Sequence, residues 1–286
     1  MGDAGRPSYL DILQLTAGCG YLAGQAERLT VLREIFSTRK KIAVVSGAGI
    51  SVNAGIPDFR NSSGRNCSRN LFDVRVNSSD FHEMISNMGT RASQAEPTKF
   101  HHLLNGFAGT DRLLCNLTQN IDCLEDKLPL LSSKTVQLHG RLDTLVCQRR
   151  SSHAFQVAPE DFQAKIMSPC PDCETVDKER VQMGKRSHGV GALQSKILLY
   201  GAGPESVIGD KLLDELFQKV DAVIIAGTRL QIKSPNRLAA ELCRAAKWRN
   251  GLTVWVNKER PPREFESLLD YVALGDCDEF ASLITA

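Results

Sequence analysis

The chain has 286 residues, 42% of them hydrophobic and 24% charged, with a net charge of +2. These values describe an ordinary globular protein with a sizeable core and exclude bulk disorder. The near-neutral balance excludes a nonspecific nucleic-acid binder, so the short basic clusters at 38–41 and 184–188 read as solvated surface.

In chain order, residues 41–45 (KIAVV), 112–117 (RLLCNL), 135–140 (TVQLHG), 196–200 (KILLY), 222–227 (AVIIAG) and 252–257 (LTVWVN) are nearly continuous apolar runs. They predict strands buried on both faces. Apolar residues at helical spacing lie between several of them, over 26–36, 98–107, 208–220 and 235–248. This alternation predicts an α/β fold with a doubly wound, mainly parallel, Rossmann-like sheet. Two stretches break it. Residues 61–97 are polar and partly helical in pattern, while 141–195 are rich in Ser, Pro, Cys and charge without a clear period. Both are read as a smaller inserted module, beside a sheet domain built from 1–60, 98–140 and 196–286.

No run of about 18 apolar residues is present, so no membrane span is expected. The N-terminal MGDAGRPSYLDILQL carries acidic residues and no continuous apolar core, unlike a secretory signal. An intracellular site is the expectation. There the nine cysteines read as reduced thiols or metal ligands more than as disulfides, and Cys170 and Cys173, in PCPDC, stand at ligand spacing.

Ligands on such sheets bind beyond the carboxyl ends of the strands. Gly47, Gln119, His139, Gly227 and Asn257 all fall there. Gly47 and Gly49 follow a strand as in a dinucleotide fingerprint, but Val52 stands where the third glycine belongs. Pro57 then fixes a dihedral ahead of Asp58, Phe59 and Arg60, an acid, a ring and a cation beside the Gly55 hinge. In TQNID, 118–122, Gln119 and Asn120 can bond ribose hydroxyls or a carboxamide; Asp122 can accept from an amide or cap the next helix. In QLHG, His139 can take a proton from a sugar hydroxyl near neutral pH or serve as a hydrogen-bonded structural group.

Read in order, GAGISVNAGIPDFR, PTKFHHLL (97–104), TQNID, LHG, Gly227 with Thr228, Val256 with Asn257, and GDCDEF (275–280) resemble the sirtuins, NAD-dependent protein deacylases. The likeness covers 40–281, and GKRSHG and VNKERPP look more like the fungal nuclear branch that acts on core histones. The resemblance implies that Gly47, Ala48, Gly49 and Ser51 form the loop cradling the NAD pyrophosphate. Asp58, Phe59 and Arg60 would cover the nicotinamide ribose, which Gln119 and Asn120 hold, with Ile121 beside them and Asp122 gripping the carboxamide. Gly227, Thr228, Arg229, Asn257 and Cys277 would line the adenosine half.

The implied chemistry has the acyl oxygen of an acyl-lysine attack the ribose carbon that bears nicotinamide. Nicotinamide leaves, and His139, with Asn120 and Asp122 as its catalytic companions, activates a ribose hydroxyl that carries the acyl group onward. The expected partner is an acetylated protein or histone peptide, and the expected location is the nucleus, with the cytoplasm as a second site. An ADP-ribosyltransferase using the same cleft and a catalytically weakened NAD-binding homologue stay open.

Three positions depart from the family pattern. Its small module holds zinc on two C-x-x-C pairs; here Cys170 and Cys173 form one, but the other reads CQRR, with Cys147 present and Arg150, which cannot ligate, in the fourth place. His153 is the nearest substitute in this zinc-ribbon-like segment. Arg229 stands where the family tends to have serine. Ala202 follows Gly201 where glutamate is common, in a segment expected to pair with the substrate backbone as an added strand.

Overall fold

The computed structural model describes residues 7–17, 24–38, 41–56, 79–197 and 208–285. Its strands are β1 (Ser8–Asp11), β2 (Ile42–Ser46), β3 (Leu113–Thr118), β4 (Thr135–Gln137), β5 (Gly140–Cys147), β6 (Ala154–Gln156), β7 (Leu193–Ile197), β8 (Ala222–Ala226), β9 (Leu252–Asn257) and β10 (Tyr271–Leu274). Seven of them form one sheet in the order β1-β10-β9-β8-β2-β3-β4, with every pairing parallel. The order reverses between β2 and β8, and crevices for ligands open at such a switch point.

Side-chain alternation explains why the central strands read as continuous apolar runs. Ile42 and Val44 of β2 enter one core while Ala43 and Val45 enter the other; in β8, Ala222, Ile224 and Ala226 oppose Val223 and Ile225 in the same way. The first core is closed by helices Gln25–Thr38, Lys99–Gly109 and Cys277–Thr285, through Leu32, Phe36, Phe100, Phe107 and Phe280. Phe36 stacks on Phe107 at 6.1 Å and meets the edge of Phe280 at 6.3 Å. Truncating such a buried ring costs about 3–5 kcal/mol. The second core is closed by helices Asp210–Lys219 and Lys233–Trp248, through Leu216, Leu238, Leu242 and Cys243. The sheet is therefore wound on both faces.

A second, three-stranded antiparallel sheet has the order β6-β5-β7. Helices Ser79–Gln94 and Pro159–Lys165 cover it through Ile85, Met88 and Phe162, joined by Ile166 just after the second helix, and these pack with Leu145 and Val157. The run at 196–200 departs from its reading as a strand of the large sheet. Its described residues, Lys196 and Ile197, end β7 of the small sheet, and 198–200 lie outside the described residues. Helix Pro171–Gln182 fills part of the stretch that showed no period, because it carries little apolar pattern and buries Cys173 alone. Strands β1 and β10 were not anticipated: each is only four residues long, β1 at the edge of the sheet and β10 between it and β9. Among the described residues no helix is long and apolar enough to cross a membrane.

Candidate active site

Leaving β2, the chain makes two short 3₁₀ turns, Ala48–Ile50 and Val52–Ala54, and the loop after β8 lies directly against them. Gly49 N–H donates to the Gly227 carbonyl at 2.8 Å and Gly47 N–H to the Ala226 carbonyl at 3.0 Å. A Cβ on Gly49 would come within 2.6 Å of Gly227 Cα, and one on Gly47 within 2.7 Å of Thr228 Cβ. Gly227 itself has a φ of 62°. These glycines let two backbones touch at the switch point. Thr98, the N-cap of helix Lys99–Gly109, donates to the Ile50 carbonyl at 2.9 Å and ties the helix start to the same loop.

The end of β3 faces this loop. Gln119 Nε2 donates to Thr228 Oγ1 at 2.9 Å, and Asn120 Nδ2 donates to Ser51 Oγ at 3.1 Å. Asp122 is buried and accepts from Leu124 N–H at 3.1 Å; burial raises its pKa against the hydrogen bonds from Ser51 and Leu124. Ala48, Ser51, Ile56, Met88, Asn120, Ile121 and Asp122 enclose a recess of ≈ 10 Å³. Polar amide, carboxylate and hydroxyl groups line one side of it and Ile56, Met88 and Ile121 the other, with room for about one water-sized group between them.

His139 is half-buried in the two-residue link between β4 and β5, where the chain leaves one sheet for the other. Its Nδ1 lies 3.0 Å from the Gln119 carbonyl oxygen. A carbonyl only accepts, so Nδ1 carries the proton and Nε2 is left with its lone pair. Burial lowers the ring's pKa while the Gln119 carbonyl opposes the shift, which favours the neutral base. His139 does not line the recess, but Gln119 joins it through Asn120 to the residues that do.

On the far side of the switch point, Asn257 Nδ2 donates to the Thr228 carbonyl at 2.7 Å. Cys277 begins the helix after β10 and is buried, with its thiol pushed up to about 12 by that burial. Arg229, next to Thr228, pairs with Glu259. A larger cleft of ≈ 780 Å³ opens beside these residues, lined by Asn53, Lys99, Lys258, Gly275 and Asp276 among others. Asp58, Phe59, Arg60 and Ala202 lie outside the described residues.

In the small module, Cys147, His153, Cys170 and Cys173 bring four ligand atoms within 4.8 Å of one another. Cys147 Sγ is 3.6 Å from Cys173 Sγ, and His153 Nδ1 is 3.4 and 3.6 Å from the sulfurs of Cys170 and Cys173. Tetrahedral zinc with bonds of about 2.0–2.3 Å needs ligand atoms at about these separations. The side chain of Arg150 is exposed, and its carbonyl accepts from His153 N–H at 3.0 Å, turning the loop so that His153 takes the fourth place. The donor set fits zinc as three thiolates and one imidazole.

The Sir2 family profile matches residues 47–234, more than half of the chain. This chain belongs to the Sir2 family. It is 34% identical over 304 residues to the NAD-dependent protein deacetylase hst4 of Emericella nidulans, a match covering 95% of this chain and 51% of that protein. It is 35% identical over 279 residues to the NAD-dependent histone deacetylase HST4 of Saccharomyces cerevisiae, covering 86% of this chain and 75% of that protein. The Sir2-family chain thus spans about half the length of the first relative. The fold is similar to that of Sir2Tm bound to a propionylated peptide, with a TM-score of 0.68 and 23% identity over 90% of this chain and 97% of that one.

Three features of this Sir2-family site were missed in the sequence. Glu125 is fully buried, and burial with the neighbouring Asp122 charge pushes its pKa up to about 8. His101 is buried with its pKa lowered to about 4 by desolvation, completing a capping box with Thr98. Asp276 gathers Asn53 at 2.7 Å and Lys258 at 3.1 Å. None could be found from spacing, because each is defined by what folds over it.

Proposed function

We propose that this Sir2-family chain is an NAD-dependent protein-lysine deacetylase that acts on an acetylated protein, histones foremost, and works in the nucleus. The observation that carries the reading is the His139 to Gln119 hydrogen bond, which leaves Nε2 as a proton acceptor at the carboxyl edge of the sheet. The names of the two curated relatives support the activity, and the histone deacetylase named from Saccharomyces cerevisiae supports the substrate and the compartment.

NAD supplies a ribose carbon from which nicotinamide can be displaced by the acyl oxygen. The chain's residues divide the remaining work. Gly47, Ala48 and Gly49 offer backbone to the phosphates, with Gly227, Thr228, Asn257 and Cys277 around the adenosine half. Gln119 and Asn120 hold the nicotinamide ribose. Ser51, Ile121 and Asp122 face the carboxamide of the nicotinamide. His139 Nε2 takes the proton of a ribose hydroxyl as that oxygen attacks the acyl carbon, a contribution of about 10² to 10⁴ in rate. Asp58, Phe59, Arg60 and Arg229 complete the proposed cofactor contacts. Cys147, His153, Cys170 and Cys173 hold zinc away from the reacting atoms and order the small module.

Mass spectrometry after incubation with NAD and an acetylated histone peptide tests this. Loss of the acetyl group with formation of O-acetyl-ADP-ribose supports deacetylation. ADP-ribose attached to the peptide, with the acetyl group kept, would point to transferase activity instead. Stabilisation by NAD without nicotinamide release would point to a binding protein.

A further inference from the structure

Arg141 lies two residues beyond His139, and its guanidinium reaches three segments of chain at once. Nε and Nη2 donate to the two carboxylate oxygens of Asp143 at 2.7 and 2.6 Å, Nη1 donates to Gln137 Oε1 at 2.9 Å, and Nη2 also donates to Asp126 Oδ2. Gln137 ends β4 just before His139, Asp143 continues β5 just after it, and Asp126 sits in the 3₁₀ turn Leu124–Lys127 that follows Asp122. The acceptors are themselves held: Ser132 Oγ donates to Asp126 at 2.8 Å and Thr144 Oγ1 to Asp143 at 2.9 Å. Main chain runs the same way, with Leu142 N–H on the Ile121 carbonyl at 2.9 Å and Leu138 N–H on the Thr118 carbonyl at 2.8 Å.

The link that carries His139 is only Leu138 and His139 long, and it ends on Gly140, whose φ is 88°. A Cβ on Gly140 would come to 1.9 Å from the Lys196 carbonyl oxygen, so this corner allows no compensating substitution. Side-chain exposures of 26% for Arg141, 35% for Asp126 and 28% for Asp143 place the cluster at the surface, where ion pairs add little to global stability. A rigid planar fork still fixes direction, which a lysine's point charge cannot do. The cluster therefore sets where three segments lie relative to one another more than how tightly the protein folds.

We infer that Arg141 is a positioning residue for the proton-transfer step: it locks the His139 link against the turn that follows Asp122. This rests on the deacetylase reading. Two rates separate the roles. Exchange of labelled nicotinamide into NAD, with acetylated peptide present, requires nicotinamide to leave but needs no base; formation of O-acetyl-ADP-ribose needs His139. In Arg141→Met, exchange stays within about threefold of wild type while product formation falls by about 10- to 100-fold, the scale of a small misplacement of a catalytic group. Arg141→Lys falls in between, and Asp126→Asn and Gln137→Leu, each removing one tether, shift the same ratio more weakly. Equal losses in both rates, or no loss in either, across these folded variants would overturn the inference. A wild-type chain that makes no O-acetyl-ADP-ribose would overturn the deacetylase reading as well, and that result is in hand before any variant is measured.

Discussion

The His139 imidazole hangs from the backbone of Gln119, with Nδ1 3.0 Å from the carbonyl oxygen, while the Gln119 side chain turns the other way to Thr228. The base is thus oriented by main chain that no side-chain substitution at 119 removes. His139→Ala is expected to lower product formation by about 10² to 10⁴ and leave NAD binding measurable by titration calorimetry. Since burial holds the ring's pKa below its usual value of 6.5, the neutral base persists into mildly acid solution. The acid limb of the kcat profile should lie below the ordinary histidine range. A limb above it would contradict the buried, neutral ring.

Glu125 gives a pH dependence of stability with the opposite origin. Its folded pKa is raised from 4.5 to about 8, so the folded chain holds a proton that the unfolded chain releases. The stabilisation is complete below the unfolded value and is lost as pH rises through the folded one. Glu125→Gln, uncharged throughout, should therefore lose that slope and gain on wild type between pH 5 and pH 8 in urea unfolding. Parallel curves for the two proteins would mean that Glu125 is ionised in the fold.

Metal content tests the thiolate and imidazole cluster directly. Purified protein should carry one zinc per chain by elemental analysis, His153→Ala should lose most of it, and His153→Cys should keep it. Chelation should lower the melting temperature of wild type. Full zinc occupancy in His153→Ala would remove His153 from the ligand set.

The glycines separate into those needed for contact and those that are not. Gly49→Ala should destabilise by roughly 1–3 kcal/mol, since overpacking costs that much and its new methyl would meet the Gly227 backbone. Gly106, within helix Lys99–Gly109, has nothing among the described residues within 4 Å of a new Cβ. Gly106→Ala should gain about 0.5–1 kcal/mol in thermal or chemical unfolding.

Much of the sheet could be read from the chain because its central strands are buried on both faces, and a continuous apolar run has little else to be. The runs at 41–45 and 222–227 became β2 and β8 for that reason. The run at 196–200 has the same texture, but its described residues, Lys196 and Ile197, went to the small sheet, because pairing partners are set by tertiary context and β5 offered an edge beside Gly140. At the site, strand-end residues such as Gln119, Asn120 and His139 were visible because topology gathers strand ends. Glu125 and Arg141 were not, since a buried carboxylate and a surface arginine look like any other charge until their neighbours are known. His153 stood in between: chemistry named it a candidate, and the Arg150 turn brought it to the sulfurs.

Strand β1 lies beside β10, so two segments about 260 residues apart in sequence are stitched together. Arg33 adds a second stitch by donating to the Leu283 carbonyl at 2.5 Å. During synthesis β1 must wait, unpaired, until β10 has been made, and contacts between such distant segments are slow to form. Removing residues 8–11 would bare the ladder of β10 and leave a sticky rim on the sheet.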